Sequence, residues 1–303
     1  MNDPNVRSKM AVVSADDVNK LKSPDSHPTL AVRSFGLTDR GKERDGNEDQ
    51  FLVATLVKAL QVQNTSLPQP KLQHSSDRGH LFIVADGMGG HAGGEQASAL
   101  AIDSVETFVL EGFKWFAHLK GQEEDEVLAD FQRALAQANA RVLAEAAGRP
   151  GLHGMGTTLT LAYSVNEDLF VAHVGDSRCY LYRNGRVHRL TSDHTLVEEM
   201  IRRGDLSAEE AGQHFLRHVI TNALGADSPE VKVELHKLRI TAGDGILLCS
   251  DGLTNAVSDE DIACVLQADV DPERICRQLV ARANDAGGPD NITVIYVRYE
   301  NAE

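Results

Sequence analysis

The sequence predicts an α+β protein of layered architecture, with helices packed against antiparallel sheets. Two observations carry this reading. Short apolar runs of strand length recur between Phe51 and Val297, and long amphipathic segments fall in pairs between groups of those runs. Strict alternation of strand and helix would have argued for a doubly wound parallel sheet, and the chain does not show it.

Residues 1–30 are polar, rich in Ser, Pro and Asp and without periodicity, and are expected as a flexible tail. Phe51–Val57 reads as the first strand, followed by a long surface loop over Gln61–Arg78 and a second strand at Leu81–Ala85. Glu95–Leu110 is helical, with Leu100, Val105, Phe108 and Val109 near one face. Glu123–Ala147 repeats the pattern with Leu128, Phe131, Leu135 and Val142. Strands are expected at Thr158–Tyr163 and Leu169–Val174. Ser207 followed by Glu210 has the spacing of a capping box and starts a short helix. Ile246–Cys249 is a further strand. Asp271-Pro272 opens a helix through Ile275, Cys276, Leu279, Val280 and Ala283 that stops at Gly287-Gly288. Ile292–Val297 is the last strand, and no internal repeat is present.

Charge narrows the function classes. The 303 residues carry 45 acidic and 30 basic side chains, a net −15, which excludes nucleic acid and anionic membrane as expected partners. No stretch approaches the roughly 20 apolar residues of a spanning helix, and the N-terminus has no apolar signal core. Cys179, Cys249, Cys264 and Cys276 form no C-x-x-C pair and sit among apolar neighbours, so buried free thiols and a cytoplasmic location are expected.

The informative pattern is where aspartates stand relative to the apolar runs. Asp86 and Asp176 follow strands, Asp251 follows one a serine later, and Asp49 and Asp290 stand just before strands. One Asp-Gly pair is ordinarily a turn. Five strand-end carboxylates gathered by a sheet would repel one another unless cations compensated them. Oxygen donors without His or Cys suit Mg²⁺ or Mn²⁺, and two such ions close together make a phosphoester hydrolysis site. Arg44, in Arg44–Asp49 (RDGNED), offers the planar fork that a phosphoryl dianion needs.

Asp86–Glu95 (DGMGGHAGGE) mimics a dinucleotide-binding turn, but Asp86 would face the pyrophosphate and no acidic strand end follows about 20 residues on. Its glycines better serve to bring backbone close to a metal, with the Gly87 carbonyl as ligand and His91 as candidate general acid.

These segments occur in a familiar order: RDGNED (Arg44–Asp49), VADGMGGHAGGE (Val84–Glu95), GMGTTLT (Gly154–Thr160), VGDSR (Val174–Arg178), LTSDHT (Leu190–Thr195), CSDGL (Cys249–Leu253) and PDNITV (Pro289–Val294). The series resembles the PPM, or protein phosphatase 2C-like, family of bacterial type over about residues 31–300. The resemblance implies a four-layer α/β/β/α sandwich of two antiparallel sheets, with a flap over about 193–221 that contains two short helices. It implies that Asp86 bridges two Mn²⁺ or Mg²⁺ ions, that Gly87 ligates through its carbonyl, and that Asp251 and Asp290 complete one shell. Asp49 would hold the other ion, with Glu48 and Asn291 in support. Asp176 would bind a third, weaker ion together with Asp251, and Arg44 would hold the substrate phosphate. The implied activity is hydrolysis of phosphoserine and phosphothreonine in proteins by a metal-activated water, opposing a Ser/Thr kinase, in a monomer. A catalytically silent phosphopeptide-binding relative is the alternative, which the complete aspartate set disfavours. Thr195 stands where Ser is more usual and Asn222 where Arg is frequent.

Overall fold

Apolar runs in antiparallel strands remain uninterrupted when both faces of the sheet are covered, and that is their situation here. The computed structural model describes residues 30–302 apart from 65, 67–71, 112–121, 213 and 269–270; the tail expected over 1–30 thus lies outside the described residues, save for Leu30. The strands are β1 (Leu30–Asp39), β2 (Gln50–Gln61), β3 (Leu72–Ala85), β4 (Gly87–Met88), β5 (Gly156–Thr157), β6 (Leu159–Val165), β7 (Asp168–Val174), β8 (Arg178–Arg183), β9 (Arg186–Arg189), β10 (Leu224–Gly225), β11 (Glu234–Arg239), β12 (Gly245–Cys249) and β13 (Ile292–Asn301). The first sheet has the order β1-β13-β12-β8-β9 and the second β11-β7-β6-β3-β2, while β10-β5-β4 form a small third sheet. All their pairings are antiparallel.

Along β3, Leu81, Ile83 and Ala85 face the helices α1 (His91–Glu111) and α2 (Gln122–Gly148), where they meet Val105, Phe131 and Leu135. Phe82 and Val84 point the other way, into a seam with Ile246, Leu248, Ile295 and Val297 of the first sheet. The outer face of the first sheet packs Leu247, Val294 and Tyr296 on α5 (Asp251–Thr254), α6 (Asp259–Ala268) and α7 (Pro272–Asp285). Each such buried Leu, Ile, Val or Phe is worth about 1.5–3 kcal/mol over its exposed state. The four layers are those the resemblance implies. Among the described residues, no helix is long and apolar enough to cross a membrane.

Several expectations are corrected. Leu72–Arg78, assigned to the loop over 61–78, extend β3, and His74 pairs with Ala59 beyond a register shift after Val57. The pairing of β3 with β6 reaches only from Val84 to Gly79, so the outer ribbon is two-stranded and lacks the alternation that marks a half-buried strand. Helix α1 begins at His91 instead of Glu95, because its glycines form the first turn: a Cβ at Gly94 would strike the Glu48 carboxylate. Cys264 is exposed on α6, whereas Cys179, Cys249 and Cys276 are buried as expected.

The flap segment carries α3 (Leu196–Arg203) and α4 (Ala208–Gly212). The Thr195 hydroxyl accepts from the Glu198 amide to cap α3, and Gly204 at φ 80° ends it. The Ser207–Glu210 capping box forms in both directions, at 2.9 and 3.3 Å. A bridge between Thr195 and Ile220 closes the neck.

Candidate active site

Antiparallel pairing sends the aspartate-bearing strand ends to the same edge of the sandwich. Gln50 lies opposite Ala85, which puts Asp49 beside Asp86; Cys249 lies opposite Val294, which puts Asp251 beside Asp290. A cleft of about 1140 Å³ opens there. Arg44, Glu48, Asp86, Gly87, Asp176, Asp251, Asp290 and Asn291 line it, and Asp49 is buried behind them. His91 opens α1, and its side chain lies outside the described residues.

Backbone and side-chain bonds position Asp49, Asp86, Asp251 and Asp290. The Asp86 amide donates to Thr158 Oγ1 at 3.0 Å, while the Thr158 amide and the Thr157 hydroxyl both donate to the Asp86 carbonyl at 2.9 Å. The Ser250 hydroxyl donates to Asp49 Oδ2 at 2.7 Å. Asn255 donates to Asp251 Oδ2 at 3.0 Å. Arg44 Nη2 donates to Asp290 Oδ2 at 2.7 Å, and the Asn291 amide to Asp290 Oδ1 at 2.8 Å. The Asn291 side chain accepts from the Glu48 amide at 2.8 Å and donates to the carbonyls of Arg40 and Gly46, both at 2.9 Å. One buried amide therefore pins the whole Arg40–Glu48 loop.

Flap and sheet meet at Asp176. The Gly175 amide donates to His194 Nδ1 at 3.1 Å and the His194 amide to the Gly175 carbonyl at 2.7 Å. Because His194 Nδ1 accepts there, the ring carries its proton on Nε2. Asn222 donates to the same Nδ1 at 2.8 Å and pairs with the backbone of Lys232, which gives this departure from the family pattern a role in holding the flap root. Arg178 clamps Asp193 through Nε at 3.0 Å and Nη2 at 2.7 Å. Sequence reasoning missed Ser250, Thr157, Thr158, Arg178 and His194 as site support, although all five lie inside the motifs it singled out.

Electrostatically the site is unfavourable as it stands. Burial, then the neighbouring negative charges, pushes Asp49 up to about 7 and Asp176 up to about 8. The same causes raise Asp251, and lift Asp86 well above the usual carboxylate range. Asp49 Oδ1 is buried and has no hydrogen-bond partner among the described residues. An orphaned carboxylate oxygen amid like charges is costly by itself and suits a cation ligand.

A family model described as Protein phosphatase 2C matches residues 62–290. The chain belongs to the protein phosphatase 2C family. Among its relatives in that family is the serine/threonine phosphatase stp of Listeria innocua, 34% identical over 260 residues that span 86% of this chain and 93% of the relative. The serine/threonine protein phosphatase PstP of Mycobacterium tuberculosis is 36% identical over 268 residues, 88% of this chain and 45% of PstP. A crystal structure of the catalytic domain of PstP in complex with two manganese ions superposes with a TM-score of 0.71 at 33% identity, covering 90% of this chain and 100% of that one. In this phosphatase 2C member the carboxylates gathered at the cleft offer oxygen donors, which fit hard divalent cations.

Proposed function

We propose that this chain is a metal-dependent protein-serine/threonine phosphatase. The observation that carries the proposal is the carboxylate cluster around the orphaned Asp49 oxygen, with a guanidinium at its mouth. Asp49, Asp86, the Gly87 carbonyl, Asp251 and Asp290 would hold two Mn²⁺ or Mg²⁺ ions, and Asp176 with Asp251 a third. Such ions, when bound, neutralise phosphoryl oxygens and lower the pKa of water at the phosphorus.

The chain's own residues supply position and charge. Arg44, anchored by Asp290 through Nη2, is half-exposed and keeps the rest of its fork for the substrate's phosphoryl oxygens. As a water oxygen bonds to phosphorus, the bond to the serine or threonine oxygen breaks, and we assign the proton for that leaving alkoxide to His91. Glu48 and Asn291 hold the loop that presents Arg44 and Asp49. The same reading makes the substrates proteins phosphorylated by a Ser/Thr kinase, met by a monomer in the cytoplasm; the acidic composition supports this by disfavouring nucleic acid and membrane. A silent phosphopeptide binder would have no need of the full carboxylate set.

Phosphate release from a phosphothreonine peptide with Mn²⁺, then with excess chelator, tests the proposal. Undiminished release in chelator sinks it. Arg44→Ala should raise KM about ten- to a hundredfold, the worth of a charge-assisted contact, and lower kcat less. Arg44→Lys should recover part of the loss, since a point charge cannot reproduce the fork. An unchanged KM in Arg44→Ala assigns the phosphate to another group. For His91→Ala, turnover of phosphoserine should fall further than that of an aryl phosphate, whose leaving group needs no proton. Equal losses on the two substrates would make His91 structural.

A further inference from the structure

Asp86 and Gly87 have a support that lies outside the cleft, in the small sheet β10-β5-β4. Its pairings set Gly225, Gly156 and Met88 in one row, and Leu224, Thr157 and Gly87 in the next. One edge strand, β4, thus carries Gly87 directly after Asp86. The other edge, β10, is two residues long, and so short a strand has little pairing of its own to keep it in place. Asn139 of α2 holds that outer edge. It is buried, at 2% exposure, and its Oδ1 accepts from the Gly225 amide at 2.7 Å. Its Nδ2 donates to the carbonyls of Ser228 at 3.2 Å and Pro229 at 3.3 Å, so both ends of the amide are spent on one turn.

That turn is strained. Gly225, Ala226 and Asp227 have φ of 75°, 48° and 60°, three successive residues in the left-handed region of which only one is glycine. L-residues avoid that region, and a run of them persists there only where the surroundings impose it. From the turn to the site the packing leaves no slack. The Ala226 amide donates to the Met155 carbonyl at 2.8 Å. A Cβ at Gly225 would lie 2.6 Å from both the Met155 carbonyl oxygen and Val142 Cγ1 of α2. On its far side Met155 backs the glycine loop, where a Cβ at Gly89 would lie 2.9 Å from Met155 Cα. The Thr157 hydroxyl completes the line by donating to the Asp86 carbonyl. In a close-packed array a shift of one strand is passed to the next instead of being absorbed.

We propose that Asn139 is a positioning residue for the metal centre: by holding the turn over 225–227 in its left-handed form, it fixes through β10 and β5 where Asp86 and the Gly87 carbonyl stand. This rests on the phosphatase reading and deepens it. Part of the affinity for the proposed ions is thereby ascribed to a side chain whose hydrogen bonds reach no residue of the cleft.

Mn²⁺ alone is the probe for the test. Free Mn²⁺ is titrated by electron paramagnetic resonance against the full chain, below the lowest melting point of the set. Asn139→Ala should raise the Mn²⁺ dissociation constant about tenfold or more, the loss typical when a group that supports a metal's ligands is removed. Ala226→Val puts a β-branched residue at positive φ on the exposed side of the turn and leaves the core intact. It should raise the constant in the same sense, and it carries the test should Asn139→Ala not fold. Val127→Ala, buried earlier on the same helix, is the control: its Tm should fall while Mn²⁺ affinity stays within about twofold of wild type. Wild-type affinity in whichever of the two turn variants folds, or an equal loss in Val127→Ala, would reduce Asn139 to a scaffold residue. A wild type that binds no Mn²⁺ at all overturns the phosphatase reading itself, so the two failures are distinguishable.

Discussion

Asp251→Asn is expected to abolish Mn²⁺-dependent phosphate release while making the metal-free protein more stable. The two effects share a cause. Asp251 lies beside Asp290, contributes to the upward push on Asp49, Asp86 and Asp176, and is itself raised by burial and by Asp290. Removing its charge would take away a proposed ligand and also relieve repulsion. Each tenfold perturbation of an acid constant that is relieved is worth about 1.4 kcal/mol, or roughly 3–6 °C in Tm for a domain of this size. The sign of the pH dependence follows. These carboxylates have folded pKa values above the ordinary 3.8, so their burden is absent below about pH 4, where folded and unfolded forms are both protonated. It grows as the pH rises through about 7 for Asp49 and about 8 for Asp176. Melting of the chelated wild type should therefore move to lower temperature between pH 5 and pH 9. Mn²⁺ should restore most at the alkaline end, and Asp251→Asn should flatten the slope. A chelated wild type that gains stability over this range, or an Asp251→Asn protein no more stable than it, would show that the cluster carries no strain.

The second large effect is expected at a residue whose side chain is taken up by backbone hydrogen bonds. Asn291 is 6% exposed, and its side chain makes three hydrogen bonds to the backbone of Arg40, Gly46 and Glu48. Asn291→Ala leaves those groups without their partner, at about 1 kcal/mol for each bond and more wherever water cannot replace it. A loss of about 3 kcal/mol corresponds to a fall of roughly 6–12 °C in Tm. Turnover should fall further than stability implies, because Arg44 and Asp49 ride on the same loop. Asn291→Asp should not rescue: it keeps the acceptor for Glu48 but removes both donors and adds a charge beside Asp290 and Asp49. Asn255→Ala, which loses only one bond to Asp251, is the control and should lie near wild type in Tm. Equal melting points for Asn291→Ala and the control would refute the hub.

The difference between these two residues shows what the sequence displays and what it hides. Asp251 was legible because it ends an apolar run and begins Asp-Gly, a local signal. Asn291 drew attention only through the family motif, because its partners lie 243 to 251 positions away and no local pattern records them. The strands β3, β6, β7, β12 and β13 were visible because both their faces are buried. β9 (RVHR) and β11 (ELHKLR) were missed because they are edge strands, part-exposed and rich in charge, where the apolar signal fades. The start of α1 was misplaced because glycines are poor helix formers, and here close packing against Glu48 outweighs that preference.

The way the carboxylates divide between the sheets has a mechanical side. Asp49, Asp86 and Asp176 hang from the second sheet, Asp251 and Asp290 from the first. The seam between the sheets is apolar, and such burial resists separation but, being non-directional, offers little resistance to sliding. Ions gripped from both sides would act as rivets at one end of the sandwich, where coordination has direction and opposes shear. The loop that carries Arg44 crosses from β1 in the first sheet to β2 in the second, so a slip between the layers would tilt the guanidinium relative to Asp86. In an unriveted molecule the alignment of phosphate and attacking water would therefore blur well before the fold itself gave way.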